Sequence, residues 1–373
     1  MTIVPRPRRI AIDARSYLSS SGAYVRNLIA ELQTLDTETL YDIYVPKEVV
    51  AAPPITSANV RWRACSARAY SLAEQLTFLG QLLWRKYDLV HFAMQQQPAL
   101  YLRPHVTTFH DLTIVSYDTL NGSQLINKSF RMVASLLFRV TLRTSRVVIV
   151  PSHATKRAVV SFANLPDSKI VVTPEAADIV RGELAPYELP FSRYILYVGN
   201  FYEYKNVARL VQAHQRLRED DPNLGLVLVG RIHRAANALV SLIEESSLQN
   251  VVMTGFIDDA QRNYLYANCA AYVFPSLSEG FGLPGLEAMA FGAPVIAARA
   301  TSLPEVYLDA AHYFDPYDVD DMVEQIKTVI SSDEVKSAMR IRNASVLDAY
   351  SWRRMAEQTL AVYERAAPSG LFK

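Results

Sequence analysis

Short runs rich in valine and isoleucine recur along this chain, each followed by a loop and then by a stretch with helical spacing. In the first half they are RIAIDA (Arg9–Ala14), YDIYV (Tyr41–Val45), DLVHF (Asp88–Phe92), HVTTFH (His105–His110), RVVIV (Arg146–Val150) and KIVVT (Lys169–Thr173). Between the first two, Tyr24, Leu28, Leu32 and Leu35 fall on one face of a helix. The runs are apolar nearly throughout, as strands are when helices cover both faces of a parallel sheet. At residues 181–193, RGELAPYELPFSR, two prolines and few periodic apolar residues mark a linker. The rhythm then restarts with Tyr194–Val198, Leu224–Gly230, Val251–Gly255, Ala270–Phe274 and Ala293–Ala298. Two such arrays predict an α/β chain of two doubly wound domains, residues 1–180 and 194–350, followed by an amphipathic helix within 351–373 that can pack back on the first domain. Ligands bind such sheets at the carboxyl ends of their strands. Two of these faces set opposite each other would enclose a cleft.

The bulk numbers agree with two soluble domains. A chain of 373 residues exceeds one ordinary core. Its 38 basic and 37 acidic residues leave a net charge of +1, so no global field argues for nucleic acid. Cys65 and Cys269 have no neighbours at metal-ligand spacing and make no disulfide framework, which points to a reducing, cytoplasmic setting. The start, MTIVPRPRRIAIDA, reads as a tail leading into a strand, not as a signal peptide. No apolar run approaches the roughly 18 residues of a membrane span, which leaves monotopic attachment open.

The most informative stretch is FPSLSEGFGLPGLEAMAFGAPVIAA, Phe274–Ala298. A strand ends near Phe274 and a helix is expected to begin at Pro284, where a missing N–H costs nothing. Gly280 and Gly282 let the joining loop approach a ligand closely. The amides of a helix start attract phosphate. Glu287, expected in the first helical turn, has two readings: an acid placed by the helix dipole, or a ligand contact. Glu279, just past a buried strand, is either a solvated loop acid or a functional group.

Taken together these residues form E-x7-E around a glycine loop, and the block resembles the signature of glycosyltransferase family 4, retaining sugar-nucleotide transferases of the GT-B fold with two Rossmann-like domains. The continuation AFGAPVIAARATSLPEV matches as well, and the resemblance spans most of the chain. It implies that Glu279 meets hydroxyls of the donor sugar, that Glu287 binds ribose hydroxyls, and that the amides of Gly280, Phe281, Gly282 and Leu283 touch sugar and pyrophosphate. Carboxylates accept hydrogen bonds from vicinal hydroxyls and amides donate to anionic oxygen.

Other segments fall into place beside that resemblance. YVGNFYEYKNVARL (Tyr197–Leu210) resembles the phosphate-gripping loop, with Gly199 and Asn200 at its turn and Lys205 on the pyrophosphate. Asn206 is expected to cap the next helix. Relatives often carry a second basic residue where this chain has Asn200 or Tyr204, so Arg231 is a candidate for the remaining charge. His110 matches the histidine that faces the donor sugar, through its ring to a hydroxyl or through its carbonyl, while Asp111 reads as a helix cap. Gly22 matches a first glycine loop that normally has two glycines, and Arg26 is a solvated residue or an acceptor contact. Phe256 and Ile257 are candidate neighbours of the nucleotide base. Asp258 and Asp259 look like a metal pair but read as a helix start, and no metal or other cofactor is expected. The helical stretch Asn127–Arg146, with Arg131, Arg139 and Arg143, either packs on the sheet or lies on an anionic membrane.

The resulting expectation is a retaining hexosyltransferase with His110, Lys205 and Glu279 as catalytic residues. Its donor is a nucleotide diphosphate sugar, with GDP-mannose favoured, and its acceptor a saccharide or lipid-linked glycan of surface polysaccharide or glycolipid assembly. No nucleic-acid partner is expected, and peripheral association with the inner membrane face would suit a lipid-linked acceptor. The alternatives are a GT-B sugar-nucleotide epimerase and a non-catalytic sugar-nucleotide-binding partner subunit. A dinucleotide enzyme is disfavoured because IDARSYLSSSGAY lacks G-x-G-x-x-G after the first strand.

Overall fold

A computed structural model describes residues 7–54, 57–117, 124–177, 183–232, 236–245 and 248–367. The expected amino-terminal tail at 1–6, the linker's first two residues at 181–182 and the end of the chain at 368–373 lie outside the described residues. The chain forms two compact units: Met1–Leu112 with Met132–Glu175 and Trp352–Lys373, and Thr113–Arg131 with Ala176–Ser351.

The first unit is built on strands β1 (Arg9–Asp13), β2 (Leu40–Val45), β3 (Val60–Ala64), β4 (Leu89–Phe92), β5 (His105–Thr108), β6 (Val147–Val150) and β7 (Ile170–Val172). Every pair is parallel, in the order β3-β2-β1-β4-β5-β6-β7. β4, β5 and β6 are buried at every position, as a sheet covered on both faces requires. β3 is an addition to the sequence reading. Its residues VRWRA alternate apolar and basic side chains, and an edge strand tolerates that because one side faces water. Arg63 uses its place there to reach buried Asp42 at 3.2 Å.

The closing helix Trp352–Ala366 belongs to this unit. Tyr363 Oη meets His91 Nδ1 at 2.7 Å, and His91 Nε2 meets Thr108 Oγ1 at 2.8 Å, so a buried polar layer joins helix and sheet. Burial pushes His91 down to about 3, which keeps the ring neutral there. The helix Gln124–Thr144 directs its arginines onto carbonyl oxygens: Arg131 Nε to Val115, Arg139 Nε to Phe162 and Arg143 Nη2 to Ala163.

The second unit carries β8 (Tyr194–Val198), β9 (Gly225–Val229), β10 (Val251–Gly255), β11 (Ala271–Phe274), β12 (Val295–Ala298) and β13 (Ala311–Phe314), all parallel, in the order β10-β9-β8-β11-β12-β13. β13, AHYF, also escaped the sequence reading: it is four residues long, without a valine or isoleucine, and pairs only at the sheet edge. Strand order reverses between β1 and β4 in one sheet and between β8 and β11 in the other. Each reversal opens a crevice at the carboxyl ends of the flanking strands, the place where doubly wound sheets bind ligands.

Candidate active site

In the second unit, the loops after β8 and β11 flank the reversal, and they hold each other. Leu277 N–H donates to the Tyr204 carbonyl at 2.8 Å. Lys205 Nζ meets Glu279 Oε1 at 2.5 Å, with both side chains about one-eighth exposed (12% and 13%). The ammonium also lies over the rings of Tyr204 and Phe274, at 5.2 and 5.6 Å from their centroids. Tertiary structure thus joins two residues that are 74 positions apart in sequence.

Asn206 stands at the start of the helix Val207–Asp220 but makes no side-chain cap, contrary to expectation. Its φ of +61° places it in the left-handed region, which turns its side chain away from the helix amides. Nδ2 instead donates to the carbonyls of Pro275 and Pro316 at 3.1 and 2.8 Å, fastening the lysine loop to the loop after β11. Asp258 does cap its helix, accepting from Gln261 N–H at 2.8 Å, with Asp259 the first helical residue.

The glycines permit close backbone approach. A Cβ on Gly230 would stand 1.9 Å from the Gly199 carbonyl oxygen, so the ends of β8 and β9 can touch only if residue 230 lacks a side chain. Gly199 N–H donates to Val229 O at 2.9 Å, and Asn200 Oδ1 accepts weakly from Tyr202 N–H at 3.4 Å. Gly282, at φ +113°, is the residue before the helix Leu283–Ala290, a conformation that excludes other residue types without strain. Its carbonyl accepts from buried Tyr307 Oη at 2.5 Å. Gly280 is buried, and Phe281 packs edge-on against Tyr350, so Phe281 offers the loop surface its backbone and not its ring. Leu283 likewise packs against the core.

The helix begins at Leu283, which moves Glu287 from the first turn into the second. The helix-dipole explanation of that carboxylate therefore weakens, since the effect fades beyond the terminal turn. Glu287 Oε2 accepts from buried Tyr266 Oη at 3.4 Å. Phe256 and Ile257 part company: Phe256 is 72% exposed with Arg231 stacked on it at 4.8 Å, whereas Ile257 packs against the core.

Several residues that fix this loop carried no local signal. Thr301 Oγ1 accepts from Glu279 N–H at 2.9 Å. The Ser302 hydroxyl lies 3.0 Å from the carbonyls of both Glu279 and Phe281. They sit in the ATSLPEV continuation, which the resemblance covered without giving them roles.

In the first unit, His110 follows β5, and each ring nitrogen has a partner there: Nδ1 with Glu175 Oε1 at 2.7 Å, Nε2 with the Ala93 carbonyl at 2.9 Å. A carbonyl can only accept, so Nε2 carries a proton. Burial pulls the imidazole's pKa down, but the hydrogen bond and charge of Glu175 overcome that and raise it above the ordinary histidine value. The carbonyl of His110 accepts weakly from Thr155 Oγ1 at 3.4 Å. Gly22 approaches its own loop: a Cβ there would meet the Ser16 and Tyr17 carbonyl oxygens at 2.4 and 2.6 Å. Arg26 Nη1 donates to that same Tyr17 carbonyl at 2.6 Å, so Arg26 is tied to the loop and not freely solvated. At the ends of β1–β3 a cavity of about 570 Å³ is bordered by Asp13, Arg15, Lys47, Cys65 and Arg68. Arg15 bridges Asp13, which also borders it, and buried Glu74 at 2.8 and 2.6 Å.

Comparison with known proteins decides the family. The family described as "Glycosyltransferase Family 4" matches residues 22–181, and "Glycosyl transferases group 1" matches residues 189–346. The O-antigen chain mannosyltransferase B of Escherichia coli is 31% identical over 286 residues, 72% of this chain and 73% of that protein. This chain belongs to glycosyltransferase family 4. As a family 4 glycosyltransferase it has the GT-B fold, in which its two parallel-sheet units are the Rossmann-like domains. Sucrose-phosphate synthase from Thermosynechococcus elongatus matches with a TM-score of 0.75 at 20% identity, over 96% of this chain and 98% of that one. HepE of Anabaena, solved in complex with UDP, matches with a TM-score of 0.71 at 17% identity, over 96% and 100%. Among the described residues of this glycosyltransferase no helix is long and apolar enough to cross a membrane, and no cluster of three His, Cys, Asp or Glu could hold a metal ion.

Proposed function

We propose that this glycosyltransferase moves mannose from GDP-mannose, with retention, to a saccharide or lipid-linked acceptor in surface polysaccharide or glycolipid assembly. The observation that carries the reading is the meeting of Lys205 and Glu279 at the β8–β11 reversal, beside the Gly282 helix start. A cation, a carboxylate and main-chain amides at one point match the diphosphate and hydroxyls of a nucleotide sugar. UDP in the HepE complex and the mannosyl activity in the O-antigen enzyme's name support donor class and sugar respectively.

In this reading the bond between the anomeric carbon and the β-phosphate oxygen breaks. A new bond to the acceptor oxygen forms on the same face, and the acceptor proton passes to the leaving phosphate. Lys205 and the amides stabilise the departing charge. Glu279 orients the sugar and Glu287 the ribose. Arg231 on Phe256 offers a flat, cationic face to the base. His110 contributes through its carbonyl, because both ring nitrogens are engaged. The reading needs no metal, so transfer should survive EDTA. A thermal-shift panel of GDP-, UDP- and ADP-sugars tests it. The true donor at 100 times its dissociation constant adds roughly 2.7 kcal/mol of stability. GDP-mannose giving no shift where UDP- or ADP-sugars do would overturn the donor assignment.

A further inference from the structure

One surface of the first unit is unlike the rest. Glu74–Phe78 is wound as a π turn and Leu79–Arg85 continues it as an α-helix. On the outer side Leu72 is 80%, Leu76 70% and Trp84 87% exposed. From Ala69 to Trp84 the one charged residue is Glu74, and it points inward to Arg15 at 2.6 Å, buried. The outer face therefore carries no charge over this length. The following loop is tied alongside: Ala99 N–H donates to Gln75 Oε1 at 2.8 Å and Arg103 Nη1 to the Leu83 carbonyl at 2.8 Å. It adds Leu100 and Leu102, each about 70% exposed (70% and 72%). Basic residues flank this apolar surface in sequence: Arg68 before it, Arg85 and Lys86 after the helix, Arg103 on the loop. Between Arg68 and Arg103 the second acid is Asp88, whose Oδ2 accepts from Arg9 N–H at 2.9 Å.

We propose that this face, from Leu72 to Trp84 with Leu100 and Leu102, docks on the surface of an anionic lipid bilayer. Uncharged leucines with a tryptophan enter the headgroup boundary, where an indole is favoured. Arg68, Arg85 and Lys86 meet anionic headgroups, each strengthening binding about fivefold, while Arg103 is held on the Leu83 carbonyl. A second copy of this chain fits less well, because a two-fold contact would set the basic edges of the patch against themselves. The helix Gln124–Thr144 also exposes Met132, Val133 and Leu136, but its three arginines point to the protein's own carbonyls. The proposal does not depend on the donor assignment, since binding is read without donor or acceptor.

Co-sedimentation of the full chain with phosphatidylcholine vesicles, with and without about one third phosphatidylglycerol, tests it. Binding is expected only where phosphatidylglycerol is present. Leu76→Glu with Trp84→Ser should weaken it about tenfold or more, and Arg85→Ser with Lys86→Ser should weaken it by a similar factor. All of these positions lie on the outer face or at its end, so thermal melting should stay as in the wild type. Absence of binding to phosphatidylglycerol vesicles, or undiminished binding by Leu76→Glu/Trp84→Ser, overturns the proposal. So does a concentration-dependent dimer that the same variant dissociates, which would assign the face to a second copy.

Discussion

Two side-chain pairs at the carboxyl ends of strands, His110–Glu175 in the first unit and Lys205–Glu279 in the second, are held differently. His110–Glu175 is clamped: the ring's other nitrogen is fixed to the Ala93 carbonyl, and Tyr24 stands edge-on to the ring at 4.9 Å. Lys205–Glu279 is a contact between two loops whose backbone the surroundings fix. Asn206, Thr301, Ser302 and Tyr307 all bond to main-chain atoms of those loops. The contrast teaches that a rigid scaffold can leave its charged tips exchangeable. A diphosphate can replace Glu279 on Lys205 without disturbing the backbone, whereas a ligand on the His110 ring would have to break a buried hydrogen bond.

If that contrast is right, the largest effects belong to the exchangeable pair. Lys205→Ala or Glu279→Ala should lower kcat by about a hundredfold to a thousandfold, the range for removing one preorganised charge partner. Thermal melting should fall as well, because each truncation leaves the other, mostly buried charge without its ion-pair partner. Steady-state kinetics and a melting curve on each variant suffice. Wild-type turnover in either one would remove these residues from the chemistry.

The scaffold itself is tested next. A Cβ on Gly285 would lie 2.2 Å from Tyr307 Oη and 2.3 Å from its Cζ, so Gly285→Ala must push Tyr307 off the Gly282 carbonyl. Overpacking of this kind costs roughly 1–3 kcal/mol. Urea unfolding should show that loss, and donor affinity should fall with it. An unchanged midpoint would mean the loop is not held by Tyr307.

The clamp predicts a pH signature. His110 has a raised pKa in the folded chain, so its contribution is complete below the unfolded value of about 6.5 and is lost as pH rises through the folded value. Burial pushes His91 down to about 3 and His105 to about 4, and these act oppositely: stability falls as pH drops from about 6.5 toward those values. Glu175→Gln should cost on the order of 1–2 kcal/mol near neutral pH, as loss of charge from a hydrogen-bonded pair does, and should remove only the alkaline limb of a Tm–pH curve. Loss of both limbs, or neither, would contradict the assignment.

What the sequence made legible follows from locality. The βα alternation is written in short windows, so the two sheets and most of their strands could be read. β3 and β13 were missed because VRWRA and AHYF lack the apolar run that marks a buried strand. Glu279 and Lys205 were noticed one at a time, beside glycines and helix starts, and their contact was not. Glu175 lies 65 positions from His110, and Glu74 lies 59 from Arg15. Nothing nearby announces either partner. Ser302 and Tyr307 act through carbonyls of a loop more than twenty residues earlier, which is invisible to any local pattern.

The smallest expected effect concerns a proposed donor contact at the exposed surface of the second unit. Arg231 is exposed and lies 4.8 Å over the ring of Phe256, itself 72% exposed. An exposed cation–π contact is worth about 0.5–1 kcal/mol. Arg231→Ala should therefore raise the nucleotide dissociation constant only about two- to fivefold, with kcat unchanged. Phe256→Ala should weaken binding further, because the base loses the ring as well as the cation stacked on it. Calorimetric titration of GDP and of mannose 1-phosphate separates base from phosphate: the variants should weaken GDP and leave mannose 1-phosphate alone. Equal losses for both would move Arg231 from the base to the diphosphate, and make the second unit's site electrostatic throughout.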